Sequence, residues 1–230
     1  MEFFTIETIQ NIDYKTLLIF SGVFLFFFML AEFAYHKVKI KVEYTRKAIH
    51  VITGVIALFF PLFIKSPLDL ILLCVGFAGL LAITLKFNLL QSVNNVDRYS
   101  RGSLLYPVAV IICFMFNYYR DTYLYFFIPI LTLAMADPIA AIVGKKFPKG
   151  KYTLRNQTKT MAGSGSFFVI ALVICFVALN LREGGNIMNC IWISLFVATT
   201  TTVGEGLSFK GDDNIVIPLV AIVSLLICGI

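Results

Sequence analysis

Charge is scarce in this chain. Only 14% of its 230 residues are charged, against about 25% in an average soluble domain. That shortfall excludes an ordinary soluble fold with a charged surface. Histidine is scarcer still: His36 and His50 are the only two, too few for a histidine-based metal centre. Five cysteines (Cys74, Cys113, Cys175, Cys190 and Cys228) lie in apolar stretches with no CxxC spacing. They read as small buried hydrophobes, not as disulfides or thiolate ligands. The opening MEFFTIETIQNID has neither a positive n-region nor a small-residue cleavage site, which predicts no removable signal peptide. Low-complexity segments, convincing repeats and linkers are absent, so 1–230 reads as a single integral-membrane domain.

Apolar residues are abundant. Hydrophobic residues make up 59% of the chain and 23 positions are Phe, with mean hydropathy +0.89. The pattern predicts an all-α, polytopic transmembrane protein. A helix needs about 20 apolar residues to cross the hydrocarbon, which gives about eight spans, near 16–35, 48–64, 68–85, 103–117, 123–143, 162–180, 188–203 and 215–230. The fourth is short and holds Pro107. The eighth could be half-buried or re-entrant, so seven spans is the alternative.

The cations sort by side. Connections after the first, third, fifth and seventh spans hold Lys37, Lys39, Lys41, Arg46 and Lys47; Lys86, Arg98 and Arg101; Lys145, Lys146, Lys149, Lys151, Arg155 and Lys159; and Lys210. The opposite side holds Lys15, Lys65, Arg120 and Arg182. The positive-inside rule makes the first set cytoplasmic and puts both termini outside. The Asn156-Gln157-Thr158 sequon then faces the cytoplasm and stays unmodified. The net charge of +6 sits at membrane boundaries, so it does not signal nucleic-acid binding.

Polar residues that are not loop filler collect on that same side. Within 134–166, AMADPIAAIVGKKFPKGKYTLRNQTKTMAGSGS, an apolar segment carries Asp137 and then Pro138. An ionisable group inside a span is costly unless paired and marks a functional site by default; the structural alternative is an acid neutralised by a nearby Lys. Pro138 frees a backbone carbonyl by interrupting the helical ladder. The segment reads as ending at Gly144 in a basic loop, where Lys145 and Lys146 can hold an anion and glycines let amides approach it. The spacing from Gly144 to Gly150 is not that of a Walker A loop, and a juxtamembrane basic run is often only a topology signal. Lys159, Thr160, Gly163 and Ser164 open the sixth span, where a helix N-terminus favours phosphate. Glu205, Asp213 and Asn214 are oxygen donors of the kind Mg²⁺ takes, although an Asp there could simply cap a helix. Arg46 and Lys47 open the second span and Arg101 the fourth, both able to clamp phosphate. His50 shares a face with Arg46 and could equally be structural.

Five pieces in order, RKAIH at 46–50, RGSLLYP at 101–107, DPIAAIVGKKF at 137–147, KTMAGS at 159–164 and E-x7-DN-x3-P at 205–218, resemble the membrane lipid-alcohol kinase family of dolichol kinase, phytol kinase and CTP-dependent diacylglycerol kinase. The resemblance implies transfer of a nucleoside triphosphate's γ-phosphate, typically from CTP, to the hydroxyl of a long lipid. It carries Asp137, Gly144, Lys159, Gly163, Glu205, Asp213 and Asn214 over as the site. The family has Lys-Ser/Thr-x-Glu-Gly at the fourth piece, and Ala162 stands here in place of the acid.

The expected chemistry is Mg²⁺-dependent phosphoryl transfer at the cytoplasmic membrane surface, in which positioning and charge neutralisation do most of the catalysis. Lys159, Lys145 and Lys146 would hold the triphosphate; Asp213, Asn214 and Glu205 the metal; and Asp137 would be metal ligand or general base. The expected partners are CTP or another nucleoside triphosphate, a polyprenol, phytol-like alcohol or diacylglycerol, and membrane lipids, with the oligomeric state open. A prokaryotic cytoplasmic membrane fits better than endoplasmic reticulum. A CDP-lipid synthase would use similar substrates, but its C-terminal His-Gly-Gly and paired-Asp pattern is absent. A small transporter is the rival from another class, disfavoured because every candidate residue crowds one surface and no repeat is evident.

Overall fold

The structure is a computed structural model that describes residues 11–87, 89–94, 102–154, 157–183, 186–209 and 211–230. Its helices in chain order are α1 (Tyr14–His36), α2 (Val42–Ala57), the short α3 (Phe60–Phe63), α4 (Pro67–Lys86), the short α5 (Gln91–Asn94), α6 (Gly102–Arg120), α7 (Leu124–Leu131), α8 (Asp137–Lys146), α9 (Met161–Glu183), α10 (Ile187–Leu207) and α11 (Asp213–Ile227). Helix α2 runs through a break at Leu58 and Phe59 into α3, and the two make one span. Helix α7 runs through a single π-helical turn, Thr132–Ala136, into α8, making another.

Among the described residues, seven spans are long and apolar enough to cross a membrane. All eight expected segments are helical, but α11 has only 15 residues, about 22 Å of helix against about 30 Å of hydrocarbon. The fourth segment is longer than expected: Pro107 sits inside α6, at the loss of one ladder bond. The second starts earlier, at Val42, because Glu43, Arg46 and Lys47 continue the helix. Local chemistry fixes several ends. The Asp13 carboxylate accepts from the Thr16 amide at 3.0 Å and the Thr16 hydroxyl at 2.6 Å, which hold its carboxyl below the usual range. The Ser66 hydroxyl accepts from the Leu68 amide with Pro67 in the first turn, and the Asn186 side chain caps α10.

The span from Leu124 to Lys146 is the most buried. Tyr125, Phe126, Ile128, Ile130 and Leu133 have no exposed surface. Helices α6, α9 and α11 pack around it, while large apolar side chains such as Leu18, Met29, Leu181 and Trp192 face outward. That outward apolar surface is what a bilayer covers. Four cysteines are buried and all five are free thiols.

The basic segment differs from the loop expected there. Gly144 lies inside α8, which ends at Lys146. Beyond it β1 (Lys151–Leu154) and β2 (Gln157–Thr160) pair as an antiparallel hairpin, Lys151 with Thr160 and Tyr152 with Lys159. Gly150 enters the hairpin at φ 65°. The Thr153 and Thr158 hydroxyls meet across this ribbon at 3.5 Å, and KYTL and QTKT are mostly polar, so no hydrophobic periodicity announced it.

Candidate active site

One cavity of about 1570 Å³ opens at the polar end of the bundle. It is lined by Arg46, Lys47 and His50 from α2; Asp137, Gly144 and Lys145 from α8; Lys159 and Thr160 from β2; Gly163 and Ser164 from α9; Glu205 from α10; and Asp213 and Asn214 from α11. The fold thus gathers residues up to 168 positions apart in sequence, Arg46 to Asn214. Two expectations fall outside it. Lys146 does not line the cavity; its ammonium lies 5.6 Å over the Phe147 ring, because the last turn of α8 points it outward. Arg101 lies outside the described residues.

Asp137 sits where the central span changes register. In the π-helical turn each amide reaches five residues back. Continuing that register would pair the Leu133 carbonyl with the amide of residue 138, which is Pro and has none. The His50 ring supplies the missing donor, with Nε2 3.3 Å from the Leu133 oxygen. A carbonyl only accepts, so Nε2 carries the proton. His50 therefore holds the backbone next to Asp137, with its ring edge-on to Tyr106 at 5.2 Å. Gly54, one turn on, brings α2 against the π-helical turn: a Cβ there would lie 2.3 Å from the Ala134 Cβ.

The charges around Asp137 are mixed. Asp213 and Glu205 are the acids, and Lys159 and Lys47 the cations, that act on it electrostatically. Lys159 Nζ donates to Glu205 Oε1 at 2.6 Å and also to the Glu205 carbonyl. Both side chains are largely buried. Glu205 Oε2 is buried with no hydrogen-bond partner among the described residues, and so it is an oxygen with capacity for a ligand. Asp213 Oδ1 accepts from the Asn214 amide at 3.0 Å. Asn214 Nδ2 donates to the Gly102 carbonyl at 2.7 Å, leaving its amide oxygen for another partner.

The phosphate-type elements are built differently from the open loop expected. Thr160 Oγ1 accepts from the Gly163 amide at 3.1 Å, which makes Thr160 the cap of α9. Ser164 is engaged by the Tyr152 hydroxyl at 2.6 Å, which ties the hairpin to α9. Gly144 and Gly163 face each other: a Cβ on Gly144 would be 2.7 Å from Thr160 Oγ1, and one on Gly163 would be 3.0 Å from the Ala140 carbonyl. These glycines set the α8–α9 approach. Lys145 bridges to Glu43 on α2, and Lys47 lies 3.7 Å from the same acid. Sequence reasoning passed over Glu43. Its position four residues before Lys47 on the opening turn of a basic helix was the available signal.

Among the described residues, no three His, Cys, Asp or Glu side chains are grouped closely enough to hold a metal ion by themselves. Glu205 is drawn to Lys159 and Asp213 to its neighbour's amide. The donor set nonetheless suits Mg²⁺ in chemistry. This ion takes one or two carboxylates and completes its shell with water and substrate phosphates.

Fold and cavity together define a polytopic helical membrane protein with a mixed-charge site at one end of its bundle. The chain is 26% identical over 182 residues to a phytol kinase of Synechocystis sp., covering 77% of this chain and 76% of that protein. It is 28% identical over 92 residues to dolichol kinase sec59 of Schizosaccharomyces pombe and 33% identical over 123 residues to dolichol kinase EVAN of Arabidopsis thaliana. Those matches cover 39% and 53% of this chain but only 17% and 21% of the much longer relatives. No protein-family model and no solved structure matches. The chain is thus an integral-membrane protein similar in sequence to phytol and dolichol kinases.

Proposed function

We propose that this protein is a Mg²⁺-dependent lipid-alcohol kinase that moves the γ-phosphate of a nucleoside triphosphate, CTP by family resemblance, to an isoprenoid alcohol. The observation that carries the proposal is the cavity itself. Its mouth is lined by Lys47, Lys145, Lys159, Asp137, Glu205 and Asp213, and its interior by Phe24, Phe28, Phe60 and Phe77. A polyanion and a lipid tail therefore have one shared space. The volume exceeds the about 300–1,000 Å³ of a typical single-ligand pocket, as two substrates require. The relatives' printed names, phytol kinase and dolichol kinase, support the same reading.

In this mechanism Lys159, Lys47 and Lys145 neutralise the triphosphate. Glu205 and Asp213, with the Asn214 amide oxygen, would hold Mg²⁺, whose chemistry is to offset charge on the phosphate oxygens. Asp137 takes the proton of the lipid hydroxyl as its oxygen bonds to the γ-phosphorus and the bond to the β–γ bridging oxygen breaks, releasing the nucleoside diphosphate. His50 is a positioning residue, because it fixes the backbone that carries Asp137. The mouth lies on the cation-rich side, which the positive-inside rule makes cytoplasmic in a prokaryotic membrane.

The test is phosphate transfer by purified protein from γ-labelled CTP, UTP or ATP to farnesol, phytol, a long polyprenol or diacylglycerol with Mg²⁺. Label in a lipid phosphate, lost in Asp137→Asn, is the expected result. Release of pyrophosphate with phosphatidate instead would assign a CDP-lipid synthase.

A further inference from the structure

The proposed chemistry occupies one end of the cavity, while the other end has its own construction. Glu43, Lys47, His50, Thr53, Ala57 and Phe60 all line the cavity. Their spacing of three and four residues forms one stripe along α2 and into α3. Read from the mouth, the stripe passes from charge to a ring and a hydroxyl, and then to a methyl and an aromatic. The stretch from His50 to Phe60 is about 15 Å of helix, half of the about 30 Å hydrocarbon core. Two other walls agree on the depth. Phe24 lies about 18 Å back from the end of α1 at His36, and Leu73 about 20 Å back from the end of α4 at Lys86.

Rings pack together at the deep end. Phe24 lies 6.0 Å from Phe60 and 4.9 Å from Phe77, in edge-on geometry. Phe20 does not line the cavity; it backs Phe60 from outside at 4.9 Å. The wall stands at the α2–α3 break, with Pro61 in the first turn of α3. The freed Leu58 carbonyl there accepts from the Tyr123 hydroxyl, which anchors the break.

We infer that Phe60, with Phe24 and Phe77, is the end wall of an acceptor groove that admits one isoprenoid tail about a leaflet deep and turns away much longer polyprenols. The inference rests on the lipid-alcohol reading above for the headgroup end. The tail length it sets follows from the stripe and the wall. A narrower crevice of about 300 Å³ between α1 and α4 also touches Leu73 and Phe77. A tail leaving by that route would bypass Phe60, so the two paths differ in their response to substitution.

The test uses the full chain purified in detergent without nucleotide. Binding of farnesol, phytol and a long polyprenol is measured by native mass spectrometry, with dioleoylglycerol as the two-tailed comparison. The expected result is that farnesol and phytol bind at least about tenfold more tightly than the polyprenol. Phe60→Ala should shift the polyprenol-to-farnesol ratio toward the polyprenol by about tenfold, and Phe60→Leu by less. Ala57→Phe, which shortens the groove, should disfavour phytol relative to farnesol. Equal binding of all three alcohols, tighter binding of dioleoylglycerol than of phytol, or a length profile unmoved by these folded variants would overturn the inference. Nucleotide plays no part in this measurement. A length profile without phosphate transfer would therefore sink the kinase reading and leave the groove standing.

Discussion

Lys159 on the hairpin and Glu205 at the end of α10 form an ion pair at 2.6 Å, and the lysine also binds the Glu205 backbone carbonyl. One contact thus joins the residue expected on phosphate to a residue expected on metal. Removing one partner of such a largely buried pair leaves an uncompensated charge and costs about 3–5 kcal/mol. Lys159→Met should lower both the melting temperature and the turnover. Combining it with Glu205→Gln should restore most of the stability and none of the turnover, read by thermal unfolding and by phosphate transfer.

Asp137→Asn keeps shape and removes the basic oxygen. General-base loss lowers kcat by about 10²–10⁴-fold, with the acceptor KM and the melting temperature little changed. Steady-state kinetics on folded protein decides it, and full activity would remove Asp137 from the proton transfer.

His50→Phe removes the donor to the Leu133 carbonyl, and a buried acceptor left unpaired costs about 1–3 kcal/mol. Adding Pro138→Ala supplies an amide at the position where the ladder lacks one. The double variant should unfold at a higher temperature than His50→Phe alone. Failure of that recovery would mean that the ring acts by packing on Tyr106.

Gly163→Ala brings a methyl within 3.0 Å of the Ala140 carbonyl, a backbone atom that cannot step aside without moving α8. A loss of about 1–3 kcal/mol is expected. Gly165, two residues on, has open space where its Cβ would go. There the same change should raise helix stability by up to about 1 kcal/mol. Opposite signs in parallel melts check the α8–α9 contact.

The helices were legible because length and hydropathy alone identify a span, and the eight segments stand where the apolar runs are. Their ends were less legible. Glu43, Arg46 and Lys47 interrupt the apolar signal although the backbone stays helical, and Gly144 looks like a terminator when it is a packing contact. The described candidate residues other than Lys146 line one cavity because they were chosen for being polar near one surface, and α2, α8, α9, α10 and α11 all present an end there. The groove beyond His50 could not be read. Phe24, Ala57, Phe60 and Phe77 face the cavity, while Phe26 and Phe33 face outward, and an apolar residue looks the same in sequence whether it faces lipid, a neighbour or a void.

The stripe from Glu43 to Phe60 also fixes how the protein can change. Each inserted residue in α2 turns everything beyond it by about 100°, which would carry Ala57 and Phe60 off the cavity and swing other side chains in. Substrate range can therefore drift by exchanging one side chain for a larger or smaller one, in single steps, while insertions and deletions in this helix scramble both ends together. The spacing between mouth and wall is a property of the backbone, inherited whole or lost whole.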